Sequence, residues 1–137
     1  MEDATLDDRE KLLRFLDPRG NHVASNPDGT RRVASIAFLN KRALADATLG
    51  VSVFAASSSN MVTLQKYFQI HGLAHVAVGH VLECGFTLCP DPSGELPTET
   101  HYLIRPQISW SWSQYKAKGA ALAERAFIMY LPDAYNH

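Results

Sequence analysis

Residues 51–82 read VSVFAASSSNMVTLQKYFQIHGLAHVAVGHVL, and Lys66 is the only formally charged side chain among them. A stretch this long with one charge must supply much of the core, because Asp, Glu, Lys and Arg are rarely buried while apolar residues usually are. Val51-Ser52-Val53-Phe54 is β-prone and follows Gly50, which predicts a strand. Ser59 or Asn60 can cap a helix over 61–70, where Leu64, Tyr67 and Phe68 recur at helical spacing and Gly72 supplies the stop. Residues 75–78 read as a second short strand, and 79–84 as one or two helical turns. Strand and helix thus alternate inside one apolar segment, and the expected class is α+β.

Upstream, Asp7 and Glu10 have the spacing of a capping box, and Leu12, Leu13 and Leu16 can form the inward stripe of a short first helix. Asp17-Pro18-Arg19-Gly20 would end it. Asn26-Pro27-Asp28-Gly29 has the chemistry of a tight turn, since proline pre-sets its backbone angle and glycine accepts a positive one. That turn predicts a hairpin joining extended segments at 22–25 and 31–38. Downstream, Gly85 leads into Phe86-Thr87-Leu88-Cys89, residues 90–97 form a turn-rich loop with three prolines, and 100–104 read as a strand.

The last quarter admits two periods. Ile108, Trp110 and Trp112 alternate with Ser109, Ser111 and Ser113, as in a half-buried strand; Ile108, Trp112, Tyr115, Leu122 and Ala126 also fall at helical steps. The helix formers between 117 and 126 favour a helix from about 113 to 126, after which 127–131 can close the sheet. The expectation is one compact domain spanning residues 1–137, with a small mixed β-sheet and about three helices.

The chain has 137 residues, 46% of them apolar and 20% charged, which suits one globular domain. Thirteen Lys and Arg against fourteen Asp and Glu give a net charge of -1, which argues against a strongly basic nucleic-acid-binding domain or a polybasic membrane anchor. No run of about eighteen apolar residues occurs, so no membrane-spanning helix is expected. The acidic start lacks a secretory signal, the end carries no prenylation box, and only Cys84 and Cys89 are present. A cytoplasmic protein with reduced cysteines and no disulfide framework is the expectation.

Four groups of residues carry chemistry worth testing. His71, His75, His80, Cys84 and Cys89 are zinc-type ligands, but their spacing matches no zinc signature and glycines interrupt any continuous helix, so no metal is assigned. Asp91 could orient His101 as a general base, with Ser35 or Ser52 as nucleophile, because such triads are defined by geometry rather than chain order. The plainer reading has Asp91 capping its own turn and His101 bonded within the sheet. Arg14, Arg19, Arg31, Arg32 and Arg42 could gather around an anion, although no phosphate-binding glycine loop accompanies them and solvated arginines are the simpler outcome. Trp110, Trp112 and Tyr115 fit either a core anchor or a docking surface.

Arg14-Phe15-Leu16 with Asp17-Pro18, Ser35-Ile36-Ala37-Phe38, Val51-Ser52-Val53, Gly72-Leu73-Ala74, Asp91-Pro92 and His101, followed by Ala121-Leu122-Ala123 through Ala126 to Pro132, run in that order. This series resembles a family of small bacterial proteins with an S-x-x-F motif, a short S-V strand, and a D-P loop followed by histidine. The resemblance implies a bacterial, cytoplasmic origin and points to Ser35, Phe38, Ser52, Asp91, Pro92 and His101, but implies no activity. His71, His75 and His80 lie outside its pattern.

Two functions compete on these grounds. The first is a non-catalytic accessory domain that binds another protein, with Trp110 and Trp112 as its docking residues, no cofactor, no nucleic acid or membrane, and a homo-oligomer possible. The alternative is a small hydrolase or group transferase using His101, Asp91 and Ser35, with Arg14 or Arg32 holding an anionic substrate.

Overall fold

The computed structural model describes residues 6–58, 71–91 and 101–132. Six strands form one sheet: β1 (Lys11–Leu16), β4 (Val51–Ala55), β5 (Gly72–Ala77), β6 (Thr87–Pro90), β7 (His101–Arg105) and β8 (Phe127–Tyr130). Their spatial order is β6-β7-β4-β1-β5-β8, and β2 (Val23–Ser25) pairs with β3 (Arg31–Val33) as a separate hairpin. Two α-helices occur among the described residues, α1 (Val78–Glu83) and α2 (Trp112–Glu124). The predicted helix over 61–70 and the proline-rich loop at 92–97 lie outside the described residues.

Every pairing in the sheet is antiparallel, which corrects the expectation of a mixed sheet. A parallel pair needs a long crossover, usually a helix, between neighbouring strands. Here α2 joins β7 to β8, which are not neighbours, so that crossover creates no parallel pair.

The first element is also corrected: residues 11–16 are a strand, not a helix. Asp7 does not cap a helix but closes a turn, its carboxylate accepting from Arg9 N at 2.7 Å and its carbonyl from Glu10 N at 2.9 Å. Glu10 binds Lys11 N and the Ser57 hydroxyl. Lys-Leu-Leu-Arg-Phe-Leu is apolar on both faces because both faces of β1 are packed, and a short run of that kind does not distinguish strand from helix by period.

Strand alternation then sorts the side chains. Leu12, Leu16, Val51, Val53, Ala55, Ala74, Val76, Leu88, Tyr102 and Ile104 face the main core, which Ala37, Phe38, Tyr115, Leu122 and Ala123 cover from the helical side. Leu13, Phe15, Phe54 and Leu73 pack on the opposite face of the sheet. The Asn26–Gly29 turn forms as predicted, with Gly29 N donating to Asn26 O at 2.9 Å and Gly29 at φ +90°.

The helical reading prevails at the C-terminal quarter. Ser111 caps α2, accepting from Gln114 N at 3.1 Å while the Gln114 side chain accepts from Ser111 N at 2.8 Å. Tyr115, Gly119, Leu122 and Ala123 form its buried stripe. A Cβ on Gly119 would stand 2.7 Å from Leu39 Cδ2 and 3.5 Å from Ser35 O, so a larger residue there would have to displace the Leu39 side chain beside the 3-10 turn Ser35–Phe38. Tyr115 is fully buried, and its hydroxyl accepts from Asn40 N at 3.0 Å. Removing that hydroxyl leaves a part-buried amide without its partner. Tyr115→Phe is therefore expected to cost about 1–2 kcal/mol, measured as a lower Tm and urea midpoint with an unchanged m-value.

Candidate functional site

The fold places Asp91 and His101 together. Asp91 follows directly on β6 and His101 opens β7, so Asp91 N donates to His101 O at 2.9 Å. His101 Nδ1 lies 3.5 Å from Asp91 Oδ2, with both side chains largely buried. The imidazole stacks on Phe54 at 4.9 Å and 16°. A row of rings continues across the sheet from Phe54 to Phe15 at 5.3 Å and from Phe15 to His71 at 6.2 Å. Carboxylate and ring have the arrangement that orients a general base, but Nε2, the atom that would meet a substrate, is itself buried.

The other residues proposed for this chemistry are elsewhere. Ser35 belongs to the 3-10 turn on the helical side, so the sheet separates it from His101. Ser52 shares the face of Phe54 and stands opposite Leu103. Arg14 projects from β1 on the helical side, where Nε donates to Ala37 O at 2.7 Å and Nη1 to Ser52 O at 3.4 Å. Burial lowers its pKa to about 10, against the pull of Asp17 and Tyr115, so it keeps its charge at neutral pH. Arg32 is exposed on β3, and its Nε donates to Asn26 Oδ1 at 2.8 Å.

The histidines and cysteines are divided between elements. His75 lies on the Leu13 face of β5, while Cys84 caps α1 on the core side, where burial pushes its thiol pKa up. Among the described residues, no three His, Cys, Asp or Glu side chains are grouped to hold a metal ion.

Both tryptophans are anchored at the start of α2. Trp110 meets Phe86 edge-on at 5.3 Å and packs over Gly85, and Trp112 meets Tyr115 edge-on at 5.8 Å. Three ammonium groups lie over their faces: Lys41 at 5.4 Å and Lys116 at 5.6 Å from the Trp112 ring, and Lys118 at 6.0 Å from Trp110. Such placements are favourable because the π face is electron-rich. Ile108, 75% exposed, precedes this basic-aromatic patch, and exposed Arg42 follows Lys41. The sequence reading named the tryptophans but not these lysines; Trp112 and Lys116 at i, i+4 on one helix were the available signal.

Arg105 was missed as well. It is a buried cation whose Nε donates to Leu49 O at 2.7 Å, while Nη2 donates to Ala43 O at 3.0 Å and Asp46 O at 3.2 Å. It fastens the loop before β4 to the end of β7. No local motif announces such a role, because its partners are backbone carbonyls far away in the chain.

No protein-family model matches the chain, and no curated protein or solved structure matches it.

His22 supplies a pH dependence. Its Nδ1 accepts from Asp17 N at 3.0 Å, and burial, with Arg14 nearby, lowers its pKa from 6.5 to about 4. The folded state therefore favours the neutral ring, and the unfolded chain takes up the proton first. This contribution is complete above about pH 6.5 and is lost as pH falls from there through about 4. His22→Gln is expected to flatten the slope of stability against pH in that window, measured by urea denaturation at successive pH values.

Proposed function

We propose that this protein is a non-catalytic interaction domain that docks an acidic segment of a partner protein on the patch formed by Trp110, Trp112, Lys41, Lys116 and Lys118. The observation that carries this reading is the set of three ammonium groups held over two anchored indole rings. Ion-ring contact fixes the lysines while leaving their outward N–H donors for carboxylates. Two lysines already lie over the Trp112 ring, which disfavours the base stacking typical of single-stranded nucleic-acid sites. The rings are packed on Phe86 and Tyr115 and so are poorly placed to insert into a bilayer. Ile108 adds an exposed apolar contact beside the charges. The bacterial, cytoplasmic setting implied by the family resemblance accompanies this reading as part of the proposal.

The test is fluorescence anisotropy with a labelled peptide of alternating glutamate and leucine, alongside oligothymidylate and phosphatidylserine vesicles. The peptide is expected to bind, with affinity falling as salt rises. The combined Lys41→Ala, Lys116→Ala and Lys118→Ala variant should bind about tenfold more weakly, since exposed charge pairs contribute about 0.5 kcal/mol each. Equal binding by that variant, absence of peptide binding, or tighter binding to the oligonucleotide or vesicles refutes the assignment.

A second reading, a small hydrolase or group transferase, draws on the 3.5 Å approach of His101 to Asp91. The buried Nε2 and the position of Ser35, Arg14 and Arg32 away from this pair weigh against it. Under the interaction-domain reading, His101→Ala lowers stability and removes no turnover of p-nitrophenyl acetate or p-nitrophenyl phosphate. Turnover by the native protein that disappears in this variant would instead establish the enzyme.

A further inference from the structure

Two residues singled out separately in the sequence, Arg32 and Ser35, share one cleft. It has a volume of about 520 Å³ and lies between β3 with the following 3-10 turn and the C-terminal half of α2. That volume is within the range of small-molecule sites, roughly 300–1,000 Å³. Arg32 and Ser35 come from one side and Glu124 from α2, while Val33, Ala123 and Ala126 give the lining its apolar part.

The two charges in this cleft do not neutralise each other. Among the described residues the ion pairs are Arg9–Asp7 and Arg125–Glu83, with His101 beside Asp91, and Arg32 and Glu124 take part in none of these contacts. Arg32 is nevertheless held in place, because its Nε is bonded to Asn26 Oδ1. Its Nη groups remain for a planar anionic partner, and a guanidinium suits a carboxylate through paired N–H donors. Glu124 offers acceptors suited to an ammonium group, and the Ser35 hydroxyl can both donate and accept.

This combination selects against simple ions. An anion such as phosphate would meet the Glu124 carboxylate, and an amine would meet the Arg32 guanidinium. A molecule carrying both charges satisfies both residues. We propose that the cleft is a binding site for a zwitterionic small molecule, an α-amino acid with an apolar side chain. Its carboxylate meets Arg32, its ammonium group meets Glu124, and its side chain lies against Val33, Ala123 and Ala126. Both charged residues are exposed, so solvent screens the pairs and the affinity belongs in the millimolar range. This site is separate from the tryptophan-lysine patch, and its occupancy does not depend on peptide docking there.

The experiment is an amide-resolved NMR titration of the full chain with L-leucine, 4-methylpentanoate and 3-methylbutylamine. The last two keep the apolar chain but lack the ammonium and the carboxylate, respectively. Leucine is expected to give saturable shifts at Ser35, Ala123 and Ala126, while each analogue binds at least about tenfold more weakly. Arg32→Gln and Glu124→Gln should each weaken leucine by a similar factor, with the rest of the spectrum and the acidic-peptide affinity unchanged. Absence of saturable shifts, equal binding of either analogue, or unaltered leucine binding by both variants overturns the proposal.

Discussion

Strand β1 is paired along both edges, with β4 on one side and β5 on the other, and the rest of the sheet is arranged around that double pairing. A central strand leaves its backbone no solvent to bond, so its N–H and C=O groups must find partners in neighbouring strands. Arg14 reinforces the arrangement from the helical side. By reaching Ala37 O and Ser52 O, its guanidinium joins the central strand to the 3-10 turn above it and to β4 beside it. The charge is retained because carbonyl dipoles and nearby Asp17 offset part of the cost of burial. Arg105 repeats this solution near the end of β7 with three further carbonyls. In both places one arginine donates to several backbone carbonyls at once.

The sheet divides the polar chemistry of the molecule. His101, Asp91, His75 and Phe54 lie on the face away from α2, in contact with rings and other side chains of that layer. Lys41, Lys116, Lys118 and Arg32, all exposed, lie instead around α2. Lysines meet tryptophans near its start, and Arg32 and Glu124 line one cleft near its end. One amphipathic helix thus buries Tyr115, Gly119, Leu122 and Ala123 and presents two chemically different surfaces at its two ends. This explains why Ser35 and Arg32 converge with each other and not with His101: they belong to the layer that packs on α2.

Much of the local structure was legible because it depends on residues adjacent in sequence. The Asn26–Gly29 turn, the strand after Gly50 and the strand opening at His101 each follow from turn chemistry or β propensity within a few residues. The segment 11–16 was not legible in that way. Its leucines fit a helical stripe, and its acidic flank fits a cap; strand pairing on both edges prevailed because tertiary context overrides weak local propensity. The antiparallel order of the sheet was hidden for a related reason, since pairing partners such as Leu12 and Val76 are far apart in the chain.

The sequence by itself determined the composition of the core, the turns, the α+β class and the residue types available for chemistry. Those properties follow from side-chain polarity and short-range backbone preference. Only the tertiary structure decided which of those residues meet. It brought His101 to Asp91 while burying Nε2, placed lysines over Trp110 and Trp112, and set Arg32 and Glu124 in one cleft. The physical reason is that a functional group acts through its position and its exposure to solvent, and both are set by long-range packing that no local pattern encodes.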